Sequence, residues 1–474
     1  MAKQKIIFGE WLPDQPGITG AVMDAVNCYP VTNGYAPLRD AADYSGNAGQ
    51  NLLVTFAGKF AGASSLFAAG ATQIYKFSSS DASLNALTTT GYAAVESWDI
   101  TQFGSKIILA NGVDQLQAYD LGSSTYVADL AAAAPAAHYV TVVRDFVVAA
   151  NVGGEENKVY WSDINDETDW TPGAASQSDT QLIPDGGDIT GLAGGEYGLI
   201  FLERAIYRMT YSGSPYFFQF DAISRTLGCI SNGSIAQFGG LTYFLSDDGF
   251  YVCDGKSVKN IGVEKINRWF FENCILGEIP TKMSSTIDPV RKLVIWNFTN
   301  SFGGRYLLYY SIDLNKWSYG TTDVVSLSYG LTPSATLEQV DNYNSNLDSL
   351  DIPLDSKVWA GGQLIFVGVR DQKIVIFSGP YKSAYITSGD IDIGRSLITL
   401  AKPIIDNGTG TVSIASRVLL TDQVEFGTTS TPDADNRCGV RSNGNYHRVK
   451  VTPTSLNWKT LTGCEIDIAT QGTR

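Results

Sequence analysis

A chain of 474 residues with 44% hydrophobic and 17% charged side chains is long enough for two or three domains, or for one large closed β architecture with additions, and its composition is that of a folded protein. Its 48 acidic residues outnumber 33 basic ones, and the formal charge of -15 argues against a surface that grips duplex DNA through Lys and Arg. With His138 and His447 the only histidines, His-rich metal sites are nearly excluded and a Ser-His-Asp arrangement has two possible bases.

The first 17 residues lack the apolar core of a signal peptide, and no later stretch has the length and purity of a membrane span, so the chain reads as a cytoplasmic product. Residues 1-60 form an extended N-terminal arm. Its segment Trp11-Leu12-Pro13-Asp14-Gln15-Pro16-Gly17 is proline-spaced and either wraps its own domain or reaches a neighbouring subunit. Used for assembly, residues 1-18 would be dispensable for folding.

Residues 61-389 carry a repeated pattern of strands and turns. The clearest unit is 237-266: the apolar run Leu241 to Leu245, a turn at Asp247-Asp248-Gly249, the run Phe250 to Cys253, and another turn at Asp254-Gly255. Apolar residues are consecutive within each run, so both faces of this sheet are covered. Similar units lie at 103-120, 142-161, 192-220, 289-319 and 357-379, with a weaker seventh at 66-77. Spaced by roughly 40 to 50 residues, they have the period of propeller blades. The fold expected is all-β: a β-propeller of six or seven blades, with the arm and a small C-terminal β domain; the alternative is an irregular β-sandwich pair. One helix is expected, at 263-275, with Ile266, Trp269, Phe270 and Cys274 near one face.

Residues 390-474 alternate more cleanly and read as a separate sandwich-type β domain, or as a closing sheet completed with the arm. The six cysteines, without a C-x-x-C pair, are expected as free thiols. No nucleophile elbow, P-loop or dinucleotide fingerprint occurs, and no catalytic, cofactor-binding or metal site is expected. Asp163, Asp166 and Asp169, weighed as a calcium loop or a sialidase-type Asp box, lack the glycine either needs and read as turn-capping residues around a packed Trp170. Asp247, Asp248, Asp185 and Asp188, imaginable as glycosidase carboxylates, all adjoin glycine turns. His447 reads as a structural or interface histidine.

Four stretches in collinear order carry a resemblance. They are Asn27-Cys28-Tyr29-Pro30 with Gly34-Tyr35; Val159-Tyr160-Trp161-Ser162-Asp163 through Asp169-Trp170; Val263-Glu264-Lys265-Ile266; and Arg441, Gly444, Tyr446, Arg448, Val449 and Val451 followed by Trp458, Gly463, Cys464, Ile466 and Ile468. In these the chain resembles the tail nozzle, or tail hub, proteins of short-tailed bacteriophages, also called packaged-DNA stabilisation proteins. The resemblance implies a non-enzymatic virion tail component, assembled in the host bacterial cytoplasm. It implies a homo-hexameric ring below the portal and adaptor rings, neighbours among tail fibre, spike or needle proteins, and genomic DNA passing without tight binding. Trp11, Pro13, Asp14, Arg441, Tyr446, His447 and Arg448 are the interface candidates, because the arm and the C-terminal domain lie outside the blade repeat. A carbohydrate-binding or glycoside-cleaving propeller, or a receptor-binding adhesin, is the alternative. Arg437, Arg441, Arg448 and Lys450 are the one candidate basic band, expected at a protein interface.

Overall fold

In the computed structural model, which describes residues 2–17, 20–89, 91–331, 352, 364–455 and 457–470, the two aromatic runs of the repeat pair as an antiparallel hairpin. Leu245 stands opposite Phe250 and Ser246 opposite Gly249. Gly249 has φ of 149°, and a Cβ there would overlap the Asn267 side chain, so the turn admits only glycine without rearrangement. Ala236–Phe238 and Val258–Asn260 flank the hairpin and complete a four-stranded antiparallel unit.

Among the described residues seven such units follow one another, at 52–86, 99–129, 137–182, 189–224, 236–260, 284–322 and, in the last, 326–331 with 364–376. Six are separate four-stranded sheets; the sixth in sequence, 284–322, continues at its edge into a thirteen-stranded sheet. The chain is thus a β-propeller, and a distinct apolar cluster fills each junction. Ile107 and Leu109 pack with Phe67 of blade 1, while Ile108 and Ala110 pack with Val147 of blade 3. Val148 and Ala150 meet Ile200 of blade 4, and Phe201 meets Phe244 of blade 5 with ring centroids 5.0 Å apart. Phe250 packs on Trp296, Ile295 lies in one cluster with Val375, and Val367 in one with Leu66, which returns the ring to blade 1. Successive residues of a strand point to opposite faces, and both faces are covered by neighbouring blades, which is why the runs are apolar without alternation.

The last blade takes its outer strand from the other end of the chain. Ala42 and Asp43 pair with Ile376 and Val375, and the Asp43 carboxylate binds Lys373 Nζ at 2.6 Å and the Arg370 guanidinium. Two residues of the arm therefore lock the ring closed.

The rest of the arm joins the C-terminal strands. Ala2–Ile7 pairs with Thr460–Thr470, Val22–Val26 with Tyr385–Ser388, and Cys28–Val31 with Gly34–Pro37. The two long strands Ile391–Asp406 and Cys438–Pro453 pair between them, and the path returns on itself where Trp11 bridges Val22. Ile6, Trp11, Val22, Ile386, Ile398, Val449, Val451, Leu461 and Ile466 fill the interior of this barrel-like sheet. Asn27, at a left-handed φ of 56°, couples it to blade 6: its N–H donates to Tyr319 O at 2.9 Å, and its Oδ1 accepts from Thr321 N at 2.9 Å. The arm wraps its own chain: residues 2–17 supply a barrel strand and the fully buried Trp11, which argues against the expectation that residues 1–18 are dispensable for folding.

The expected helix is shorter than 263–275. It spans Asn267–Asn273, because Glu264 sits at φ 58° and the amides of Lys265, Ile266 and Asn267 all donate to Gly262 O, a turn that precedes helical geometry. At the other end Cys274 is extended, with ψ of 160°. A second short helix, Ile279–Lys282, follows. No helix among the described residues is long and apolar enough to cross a membrane.

Candidate functional site: the arm and the C-terminal barrel

Trp11 lies between the helix and blade 6. Its ring is 4.8 Å from Trp269, edge-on, and 5.0 Å from Tyr319, and its Nε1 donates to Met23 O at 2.9 Å. Half-buried Pro13 turns the chain, and Asp14 meets the helix N-terminus. Asp14 Oδ2 accepts from Arg268 N at 3.0 Å and Oδ1 from Trp269 N at 2.8 Å, satisfying two amides that a helix leaves without intrahelical partners. Lys265 Nζ reaches back to Glu10. The proline-spaced segment is thus a splint between arm and helix.

In the barrel, Asp390 is the centre of a buried charge node. Arg448 grips it through Nε at 2.8 Å and Nη2 at 2.9 Å, and Arg417 through Nη2 at 2.5 Å. Burial pushes the Asp390 carboxyl up, but hydrogen bonds and charge from Arg448 and Arg417 outweigh it and hold it below the ordinary carboxylate range. Gly17 passes over the node at a distance no side chain allows: a Cβ there would meet Arg448 Nη2 at 2.6 Å and Asp390 Oδ2 at 2.7 Å. The neighbouring His447 is fully buried, with Nε2 3.0 Å from Ser396 Oγ and Nδ1 2.6 Å from Ser416 Oγ; burial pushes its pKa down, so both hydroxyls face a neutral ring.

Of the seven interface candidates, Trp11 and His447 are therefore interior to this chain, Asp14 and Arg448 are engaged within it, Pro13 and Tyr446 are half-buried, and Arg441 is exposed. Arg437 is exposed too, and Lys450 lies over the Tyr385 ring at 3.8 Å. Asp390 and Arg417 escaped the sequence reading. Asp390 follows a glycine at a boundary, and only the isolated charge of Arg417 at the end of the apolar run TVSIAS marks it.

The weighed carboxylates lie in turns. Asp163 Oδ1 accepts from Gln177 N, Asp166 Oδ1 from Thr168 N, and Asp169 Oδ1 from Thr171 N, with Trp170 buried between blades 2 and 3. Asp248 accepts from the Tyr251 hydroxyl at 2.7 Å, Asp247 from Ser246 Oγ, and Asp185 pairs with Arg225. Among the described residues no three His, Cys, Asp or Glu side chains gather to hold a metal, and all six cysteines are buried and free. His138 is exposed beside Tyr139.

Two further features were not foreseen. Along the propeller axis, where first strands of neighbouring blades pack side by side, Asp99 accepts from Val140 N at 2.9 Å and from Asn232, which precedes blade 5; burial pushes its carboxyl up to about 6. Between blades 1 and 2 a polar cleft of about 640 Å³ is lined by Thr88, Tyr92, Asp114, Gln115, Gln117 and Asp129. There the Tyr92 hydroxyl donates to Gln117 Oε1, and Gln117 Nε2 to Asp129 Oδ1 at 2.7 Å.

No family model matches the chain, and no curated protein matches it. Among solved structures, the crystal structure of the RRP9 WD40 repeats is similar at 11% identity and a TM-score of 0.41, over 73% of this chain and 99% of that one.

Proposed function

We propose that this chain is a structural subunit of a short phage tail: a nozzle or hub protein, six copies of which ring the DNA-ejection channel below the portal and adaptor and retain the packaged genome. The observation that carries the reading is where its resemblance residues fall. Cys28 and Tyr35 from one end of the chain share a core with Val449, Val451, Trp458, Cys464, Ile466 and Ile468 from the other, and Tyr35 stands opposite Leu461. The first and the last of the four stretches that resemble the tail family are thus the two halves of one folded unit.

A propeller locked by its own N-terminus suits a rigid wall, and a chain at -15 suits a wall that DNA slides past. In this reading the protein is a non-enzymatic virion component, touching adaptor subunits at one end and a fibre, spike or needle at the other. Particles made without it should package DNA and then lose it, and adding the purified chain to filled heads should restore retention. Particles that keep their DNA without it would refute the reading.

The polar cleft favours a second reading, a carbohydrate-binding propeller, because amides, carboxylates and a tyrosine around an open cleft suit paired sugar hydroxyls. Glycan binding that disappears in Gln117→Ala would establish it.

A further inference from the structure

The turn after Arg417 exposes three consecutive apolar side chains, Val418 at 61%, Leu419 at 60% and Leu420 at 42%, with Phe426 close behind at 37%. Exposed apolar residues in a row are costly unless something covers them. This turn is also held in place. Arg417 Nη1 donates to Leu420 O at 2.8 Å and to Asp422 O at 3.0 Å while its other nitrogen holds buried Asp390. Leu419 N donates to Asp422 Oδ2 at 2.8 Å, and Asn445 Nδ2 to Val418 O at 2.9 Å. An apolar turn fixed this way loses little conformational entropy on docking.

Its charge indicates what it fits. Residues 418–426 contain Asp422 and Glu425 and no basic residue. Elsewhere on the barrel, the outward side of Ala2–Ile7 presents Lys3, Lys5 and the 57% exposed Ile7 in one row. Lys5 stands opposite Glu465, and Glu465 opposite Lys402, while exposed Arg437 is close enough to act on Lys3. Lys3, Lys5, Lys402 and Arg437 against Glu465, Asp467 and Asp435, which pairs with Arg437, leave this face with one surplus positive charge in a chain whose total is -15.

We infer that the turn 418–426 of one copy docks on the Lys3–Lys5–Ile7 face of the next, a head-to-tail contact between copies of this chain. The two patches are different surfaces of one molecule, so each copy offers both halves and the contact propagates, as ring formation requires. Apolar side chains supply the burial, and the opposed charges set orientation. The inference rests on the ring reading and assigns its contact.

The test is the mass of the full-length protein by light scattering at about 100 µM and low salt, where contacts of micromolar strength are populated. Wild type should form higher oligomers that dissociate as salt rises. The turn variant Val418→Ser/Leu419→Ser/Leu420→Ser and the face variant Lys3→Glu/Lys5→Glu should each be monomeric, with unchanged circular dichroism. Mixed, they should form a 1:1 dimer and nothing larger, since one retains an intact face and the other an intact turn. Either variant assembling like wild type, a mixture that stays monomeric, or wild type monomeric throughout overturns the inference. None of these touches the tail reading, which the DNA-retention experiment decides separately.

Discussion

At the residue scale, Asp390 joins three segments by charge-assisted hydrogen bonds, and its loss would leave Arg417 and Arg448 without a counter-ion. Breaking a buried pair from one side costs about 3–5 kcal/mol, so Asp390→Asn should lower unfolding stability by that order, measured by denaturant melts. The node also carries a pH signature. The folded Asp390 pKa is depressed below its ordinary 3.8, so its stabilisation is present above that value and is lost as pH falls through the folded value. His447 has the same sign higher up: pushed below 6.5 by burial, it contributes fully above 6.5 and progressively less as acid charges the unfolded chain first. The barrel should thus weaken in two steps on acidification, and His447→Gln should remove the upper one. Hydrogen exchange along Cys438–Pro453 from pH 7 to pH 3 reads both. The sequence singled out Arg448 but not its partners, because pairing between positions 390, 417 and 448 is a property of strand register and not of local pattern.

At the scale of elements, the helix Asn267–Asn273 has seven residues, too few to hold itself in water, and depends on Asp14 and on packing against Trp11. Asp14→Ala should cost about 1 kcal/mol, the value of a lost cap, whereas Trp11→Ala should cost about 3–5 kcal/mol as a fully buried aromatic. Deleting residues 2–17 removes a barrel strand as well, so the truncated chain should bind a hydrophobic dye and lose its cooperative melt; a truncation that melts like wild type would show the arm to be dispensable. Gly34, at φ 146°, is close enough to Leu461 O that a Cβ would overlap it, and Gly34→Ala should open that pairing. The blades were legible because each repeats aromatic runs around a glycine turn. The start of the helix was misread because Val263 and Ile266 keep the apolar spacing while Gly262 and Glu264 bend the backbone away from it. That the arm completes the C-terminal sheet was one of the two readings the sequence offered, but the register was illegible: Ile6 opposite Cys464 is a pairing across more than four hundred positions, and neither strand carries a sign of its partner.

For the whole molecule, seven blades were visible as six clear repeats and one weak one, yet the closure of the ring was not. The locking strand, Ala42–Asp43, is two residues long and has no pattern to read. Charge was legible throughout. In the proposed ring, six copies at -15 each would carry about -90, and at physiological salt their repulsion would reach about 8 Å, enough to keep DNA off a wall without barring passage. Duplex binding by the purified protein should therefore be undetectable at both low and moderate salt; submicromolar, salt-sensitive affinity would mean that the basic residues gather into a gripping surface. The central claim is tested most directly by imaging purified virions labelled on this chain. The account predicts label in a ring of six at the short tail, below the portal and adaptor, and virions that carry none of the chain would contradict it.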